Sequence, residues 1–208
     1  MFSSIGAILI VSIFLGACTI HHEIKPVLER RPLVEPLPLT VGIYFSPEFR
    51  TYHASLCVPS LCNEYDLGPP SVTLFEILVA GLFEKVLVVD STSPPDSNLK
   101  VAGIIAPTIA NFEYRLYQDG YHHIAYRLTL YSPAGANLGA WEVDGAASIE
   151  AVSFPHTNGK IARVTMRRAA ANFVRGFRKE PVVMNWLEKT SVKLSGSPHL
   201  QDKEVMPP

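Results

Sequence analysis

The groups able to do chemistry in this chain are few and scattered. Two of its three cysteines stand close together in Cys57-Val58-Pro59-Ser60-Leu61-Cys62. Such a pair can close a disulfide, shuttle electrons or supply half of a metal site. The spacing is two residues longer than the Cys-x-x-Cys of thioredoxin-like motifs, and no second Cys/His pair lies at zinc spacing. His122 and His123, with Asp119 nearby, could ligate a transition metal. Neighbouring side chains on a strand point to opposite faces, however, so the two imidazoles do not readily share one ion. His21 and His22 form a similar pair near the amino terminus. Glu48, Glu64 and Asp66 flank the cysteines without a spacing that marks an acid/base couple. The sequence has no nucleophile elbow, phosphate-binding loop, dinucleotide fingerprint or His-Glu-x-x-His motif. The expectation is a protein without catalytic site, metal or cofactor.

Charge offers more. The net charge is −1, so no overall field favours nucleic acid. Lys160, Arg163, Arg167, Arg168, Arg175, Arg178 and Lys179 nevertheless follow one another with no acid before Glu180. Arg163 and Arg167 stand at i, i+4, and Arg168 and Arg175 at i, i+7, which on a helix gives a cationic border around an apolar stripe. Such a face can meet anionic lipid headgroups, lipopolysaccharide phosphates or an acidic partner. It can equally be a solvated face, with the late arginines favoured by the helix dipole. Aromatic residues form a third group: Tyr114, Tyr117, Tyr121, Tyr126, Tyr131 and Trp141 exceed what one buried sheet face needs. Tyr117 and Tyr131 alternate onto the opposite face and are candidates for an interface.

These groups need a frame to hold them. The β-branched and aromatic run Leu39-Thr40-Val41-Gly42-Ile43-Tyr44-Phe45 stops at Ser46-Pro47 and predicts a first strand. The loop from Pro47 to Pro70 carries the cysteine pair. Ser71 then caps a strongly apolar helix, Val72 to Val86, whose few polar positions predict cover on most sides. Leu87-Val88-Val89-Asp90 predicts a short strand. Three longer strands are expected over 101–117, 124–131 and 138–147, with Asp119-Gly120 and Ser132-Pro133-Ala134-Gly135 as turns. They predict an antiparallel meander with one buried face. A second helix is expected from Asn158 to Lys179, where Ala162, Met166, Ala169, Ala170, Phe173 and Phe177 fall at 3- and 4-residue spacings. A short helical turn with Trp186 and Leu187 follows Pro181. The fold class expected is α+β, a mostly antiparallel sheet of four to five strands with two helices packed on one face. This single domain spans 39–189, and a polar, disordered tail covers 190–208. Ahead of the domain, Pro26, Pro32, Pro36 and Pro38 predict that residues 18–38 form an extended tether. At about 3.1 Å per residue it would reach roughly 60 Å.

The first residues bear on where the domain works. Phe2 to Ala17 is apolar but short of the roughly 20 residues a bilayer span needs. Its length suits the core of a signal peptide over residues 1–17. Leu15-Gly16-Ala17-Cys18 resembles the lipobox of bacterial lipoproteins. That resemblance implies cleavage before Cys18, diacylation of its thiol and acylation of the new amino terminus. Three acyl chains would make a nearly permanent anchor. Thr19, in place of the Asp that retains such proteins in the inner membrane, implies the outer membrane, with the domain facing the periplasm. That compartment is oxidising, so the resemblance also implies a Cys57–Cys62 disulfide, a loop staple worth on the order of 2 kcal/mol. The layout of lipobox, Pro-rich segment and α+β domain is similar to that of small outer-membrane lipoproteins, including lipopolysaccharide-assembly and penicillin-binding-protein activator lipoproteins. It implies a non-catalytic accessory or assembly subunit that docks another envelope component. A second reading is a carrier that takes a lipid or lipopolysaccharide between the helix Val72 to Val86 and the sheet.

Overall fold

The computed structural model describes residues 18–25, 27–58, 61–93, 100–115, 120–152 and 157–195. In chain order the elements are β1 (Cys18–His22), β2 (Leu37–Tyr44), α1 (Pro47–Arg50), β3 (His53–Val58), β4 (Leu61–Asp66), α2 (Gly68–Leu82) and β5 (Phe83–Val89). They continue with β6 (Ile104–Arg115), β7 (Tyr121–Tyr131), β8 (Asn137–Ala147), α3 (Asn158–Gly176) and α4 (Pro181–Ser195). The signal segment 1–17 and residues 196–208 of the expected tail lie outside the described residues.

Five strands form the main sheet in the order β5-β2-β6-β7-β8. The predicted meander is its antiparallel half, with β7 between β6 and β8. The other half is parallel, because β2 runs alongside both β5 and β6. The fold is therefore α+β as expected, but its sheet is mixed. A parallel pair needs a crossover, and helix α2 forms it between β2 and β5. Pro69 and Pro70 fit the first turn of α2, where their missing N–H groups cost nothing. The helix thus starts before Ser71, whose hydroxyl is buried and lies 2.9 Å from the Tyr126 hydroxyl instead of capping. It also ends earlier than its hydrophobicity suggested, and Phe83 opens β5 directly.

Alternate residues of the sheet, among them Val41, Ile43, Ile105, Ile124, Leu128 and Leu130, are buried beneath α2 and α3. Phe75 of α2 meets Tyr126 and Phe173 edge-on, at 5.0 and 5.8 Å between ring centroids. Helix α3 can approach β8 closely because Gly145 has no side chain where the Thr165 carbonyl and Ala169 amide pass over it. After Pro181 comes a 15-residue helix rather than a short turn. Val183 and Trp186 seat α4 on the core, with the Trp186 indole donating to the Ala102 carbonyl at 3.1 Å. Helix α4 runs past Thr190, where the tail was expected to begin.

A second, three-stranded sheet, β1-β4-β3, adds to the expected architecture. β3 and β4 form a hairpin in which Cys57 and Cys62 face each other and are disulfide-bonded. β1 joins it in parallel, with Cys18 opposite Leu61 and His22 opposite Tyr65. The segment expected to be a free tether is thus part of the domain. Its prolines forbid a helix but do not forbid burial. Val27 is 1% exposed, and Ile24 and Leu28 pack on the core. Pro32 lies so close to Gly81 of α2 that a Cβ there would clash with it. Residues 27–36 therefore form a strap along α3.

Candidate functional site

The cationic residues of α3 hold that strap. Arg163 pairs with Glu29 at 3.6 Å, Arg167 donates twice to the Val27 carbonyl, and Arg178 beyond the helix donates to the Glu35 carbonyl. Arg168 turns the other way and reaches the Ala146 carbonyl of β8 at 2.6 Å. Arg175 bonds back to its own helix, at the Ala171 carbonyl and the Asn172 side chain. Each of the five arginines of the expected cationic border has a partner within the molecule.

The strap and α3 enclose a cavity of about 400 Å³. Its floor is apolar, with Leu28 from the strap, Leu78 from α2 and Val174 from α3. Four arginines also line it, Arg167 and Arg175 from α3 and Arg30 and Arg31 from the strap. No lining residue is acidic. Arg30 and Arg31 escaped sequence reasoning because they lie in a segment expected to stand clear of the domain.

A polar cluster fills the junction between the two sheets and the start of α3. The His22 imidazole lies 2.8 Å from Asn63 Oδ1, and the Asn158 amide donates to the Tyr114 hydroxyl at 3.0 Å. His122 points inward here, with its ring 4.7 to 5.8 Å from those of Tyr114, Tyr65 and Phe112. Neither of its nitrogens has a hydrogen-bond partner, nor has the Tyr65 hydroxyl. Burial, and to a lesser degree the nearby His22, holds the His122 imidazole down to about 3. Burial likewise raises the Tyr65 and Tyr114 hydroxyls above the usual phenol range. His123 points to the other face and pairs with Asp144 at 3.2 Å. The adjacent histidines are separated by the strand pleat, as their positions imply. Glu64 and Asp66 pair with His21 and His53, at 3.0 and 2.9 Å. Among the described residues, no group of three or more His, Cys, Asp or Glu side chains is placed to hold a metal ion.

Cys18 is exposed and free at the start of β1. Tyr131 is half-buried on the sheet face away from α2 and α3, packed with Val89, Val101 and Ile104. Tyr117 lies outside the described residues. Among the described residues no helix is long and apolar enough to cross a membrane.

No protein-family model matches the chain, and no curated protein matches it. Solved structures do resemble it in outline. A protein of Xanthomonas campestris, XCC0632, assigned to the DUF330 family, aligns over 86% of this chain and 100% of its own at 8% identity, with a TM-score of 0.48. A minor lipoprotein of Acinetobacter baumannii aligns over 73% and 95% at 7% identity, with a TM-score of 0.34. Lipoprotein GNA1162 of Neisseria meningitidis aligns over 69% and 100% at 9% identity, with a TM-score of 0.33. At these scores the likeness is confined to the general course of the chain.

Proposed function

We propose that this chain is a non-catalytic accessory lipoprotein, anchored in the outer membrane through lipid on Cys18, whose periplasmic domain docks another envelope component. The observation that carries the reading is the place of Cys18. It combines the lipobox position with an exposed, unbonded thiol at the first residue of an ordered strand. Acyl chains on this residue would leave from the edge of the small sheet without touching the core. Several groups with chemical potential have partners within the molecule: His21 with Glu64, His53 with Asp66, Cys57 with Cys62, and Arg167 with the strap. The docking surface would lie on the sheet face away from α2 and α3, beside the half-buried Tyr44, Leu87 and Tyr131 that pack on Val89, Val101 and Ile104. The packing beneath α2 favours docking over carriage of a lipid between α2 and the sheet. Phe75, Tyr126 and Phe173 fill the space between α2 and the sheet.

Three measurements test the proposal. Mass spectrometry of the amino-terminal peptide should find acyl groups on Cys18, and the full chain carrying Cys18→Ser should leave the membrane fraction. An intact Ala17–Cys18 bond, or a Cys18→Ser chain that stays membrane-bound, overturns the anchor. A photo-crosslinking residue at Tyr131 in intact cells should capture one envelope protein in stoichiometric yield. Capture of lipid alone overturns the docking role.

A further inference from the structure

The cavity under the strap combines two properties that seldom coincide without a ligand. Four arginines, Arg30, Arg31, Arg167 and Arg175, are among its lining residues, together with the apolar Leu28, Leu78 and Val174. Arg167 and Arg175 are fixed by hydrogen bonds to the protein. Arg30 and Arg31 are exposed and have no ion-pair or hydrogen-bond partner among the described residues. No carboxylate lines the site to balance them. The nearest acid on the strap, Glu29, is already paired with Arg163. Like charges held together around an apolar depression repel one another, and a bound anion relieves that repulsion.

We propose that this cavity binds an anionic membrane lipid, with its phosphate held by Arg30 and Arg31 against the rim of α3 and part of one acyl chain on the Leu28–Leu78–Val174 floor. Guanidinium forks match phosphate oxygens in pairs, which a lysine cannot do. A volume of about 400 Å³ lies within the range of small-ligand sites. It is larger than a free phosphate needs, and an apolar floor adds nothing to the binding of a bare ion. The strap forms one wall through Leu28, Arg30, Arg31 and Pro32, so the site exists only while those residues are docked. The inference rests on the anchored reading in one respect: the anchor keeps the cavity within reach of a bilayer.

The experiment uses the full, acylated protein reconstituted in phosphatidylcholine vesicles that contain a small fraction of photoactivatable phosphatidylglycerol. Adducts are expected on Leu28, Leu78 or Val174, and photoactivatable phosphatidylcholine should give none above background. Arg30→Glu combined with Arg31→Glu should cut the yield at least tenfold, while Arg30→Lys with Arg31→Lys retains part of it. Val174→Trp, which fills the floor, should abolish the adducts. Equal labelling by both headgroups, or labelling unchanged in the double Glu variant, overturns the proposal. So does full displacement by millimolar inorganic phosphate, which would mark a free-anion site, or by an acidic peptide, which would mark a protein groove. Acyl groups on Cys18 are read from the same digest. A bare Cys18 overturns the anchored reading, whereas an acylated chain without adducts overturns the lipid site.

Discussion

Arg167 grips the carbonyl oxygen of Val27 with two N–H groups, Nε and Nη2, each at 3.2 Å. The two residues are 140 positions apart, and their bond closes the strap onto α3. An ionised donor and two parallel bonds to one oxygen make this a stronger contact than an ordinary hydrogen bond.

Arg167→Met keeps most of the aliphatic stem and removes both bonds. The expected cost is about 1 to 2 kcal/mol, a fall in thermal midpoint of a few degrees for a domain of this size. The more specific sign is local. Trypsin should cut after Arg30 several times faster in the variant, because the freed strap presents that bond to the protease. Unchanged cleavage would show that packing of Val27 alone holds the segment.

His122 sets a pH dependence whose sign follows from its burial. The unfolded imidazole takes a proton from about pH 6.5 downward, while in the folded domain it resists until about 3. Its contribution to stability is complete above the unfolded value. It drains away as pH falls between the two, at up to about 1.4 kcal/mol per pH unit. His122→Phe should flatten the slope of urea-unfolding free energy between pH 6 and 4. It should also raise stability at pH 7 by about 1 kcal/mol, since two unpartnered buried nitrogens disappear. Equal slopes in the two proteins would count against this account.

Gly145 and Gly176 should respond oppositely to alanine. A Cβ at Gly145 would fall within 3.0 Å of the Thr165 carbonyl and the Ala169 amide, both helix backbone that cannot swing aside. Gly145→Ala should therefore cost about 3 kcal/mol through displacement of α3. At Gly176 the nearest atom to an added Cβ is 3.8 Å away, so Gly176→Ala should be neutral or stabilise by up to about 1 kcal/mol. Chemical denaturation of both variants gives the comparison.

Much of the main sheet was legible in the sequence because its signals are local. Alternation marks β6, β7 and β8, and two turns fix their order. The helix periodicity of α3 is equally plain. The end of α2 was misplaced because apolar residues continue across Leu82 and Phe83, and a continuous apolar run does not reveal where helix gives way to strand. β1 was invisible for a different reason. Cys18, Thr19, His21 and His22 show no hydrophobic alternation, and their pairing partner begins more than 40 residues later. The arginines of α3 were recognised, but most of their partners were not. Backbone carbonyls such as those of Val27 and Ala146 carry no residue-type signature. With the strap misread as a free tether, Arg30 and Arg31 could not be joined to Arg167 and Arg175.

β1 begins at Cys18 itself, which forms the first ladder pair with Leu61. A lipid on that residue would therefore hold the domain without a leash. The centre of mass would ride about one molecular radius above the bilayer, roughly 20 Å for a domain of this length, instead of sweeping a wide hemisphere. Height and tilt would be nearly fixed, leaving sliding and spinning in the membrane plane as the main freedoms. A partner would then be met at a set altitude and from a restricted set of angles, so the search for it becomes two-dimensional.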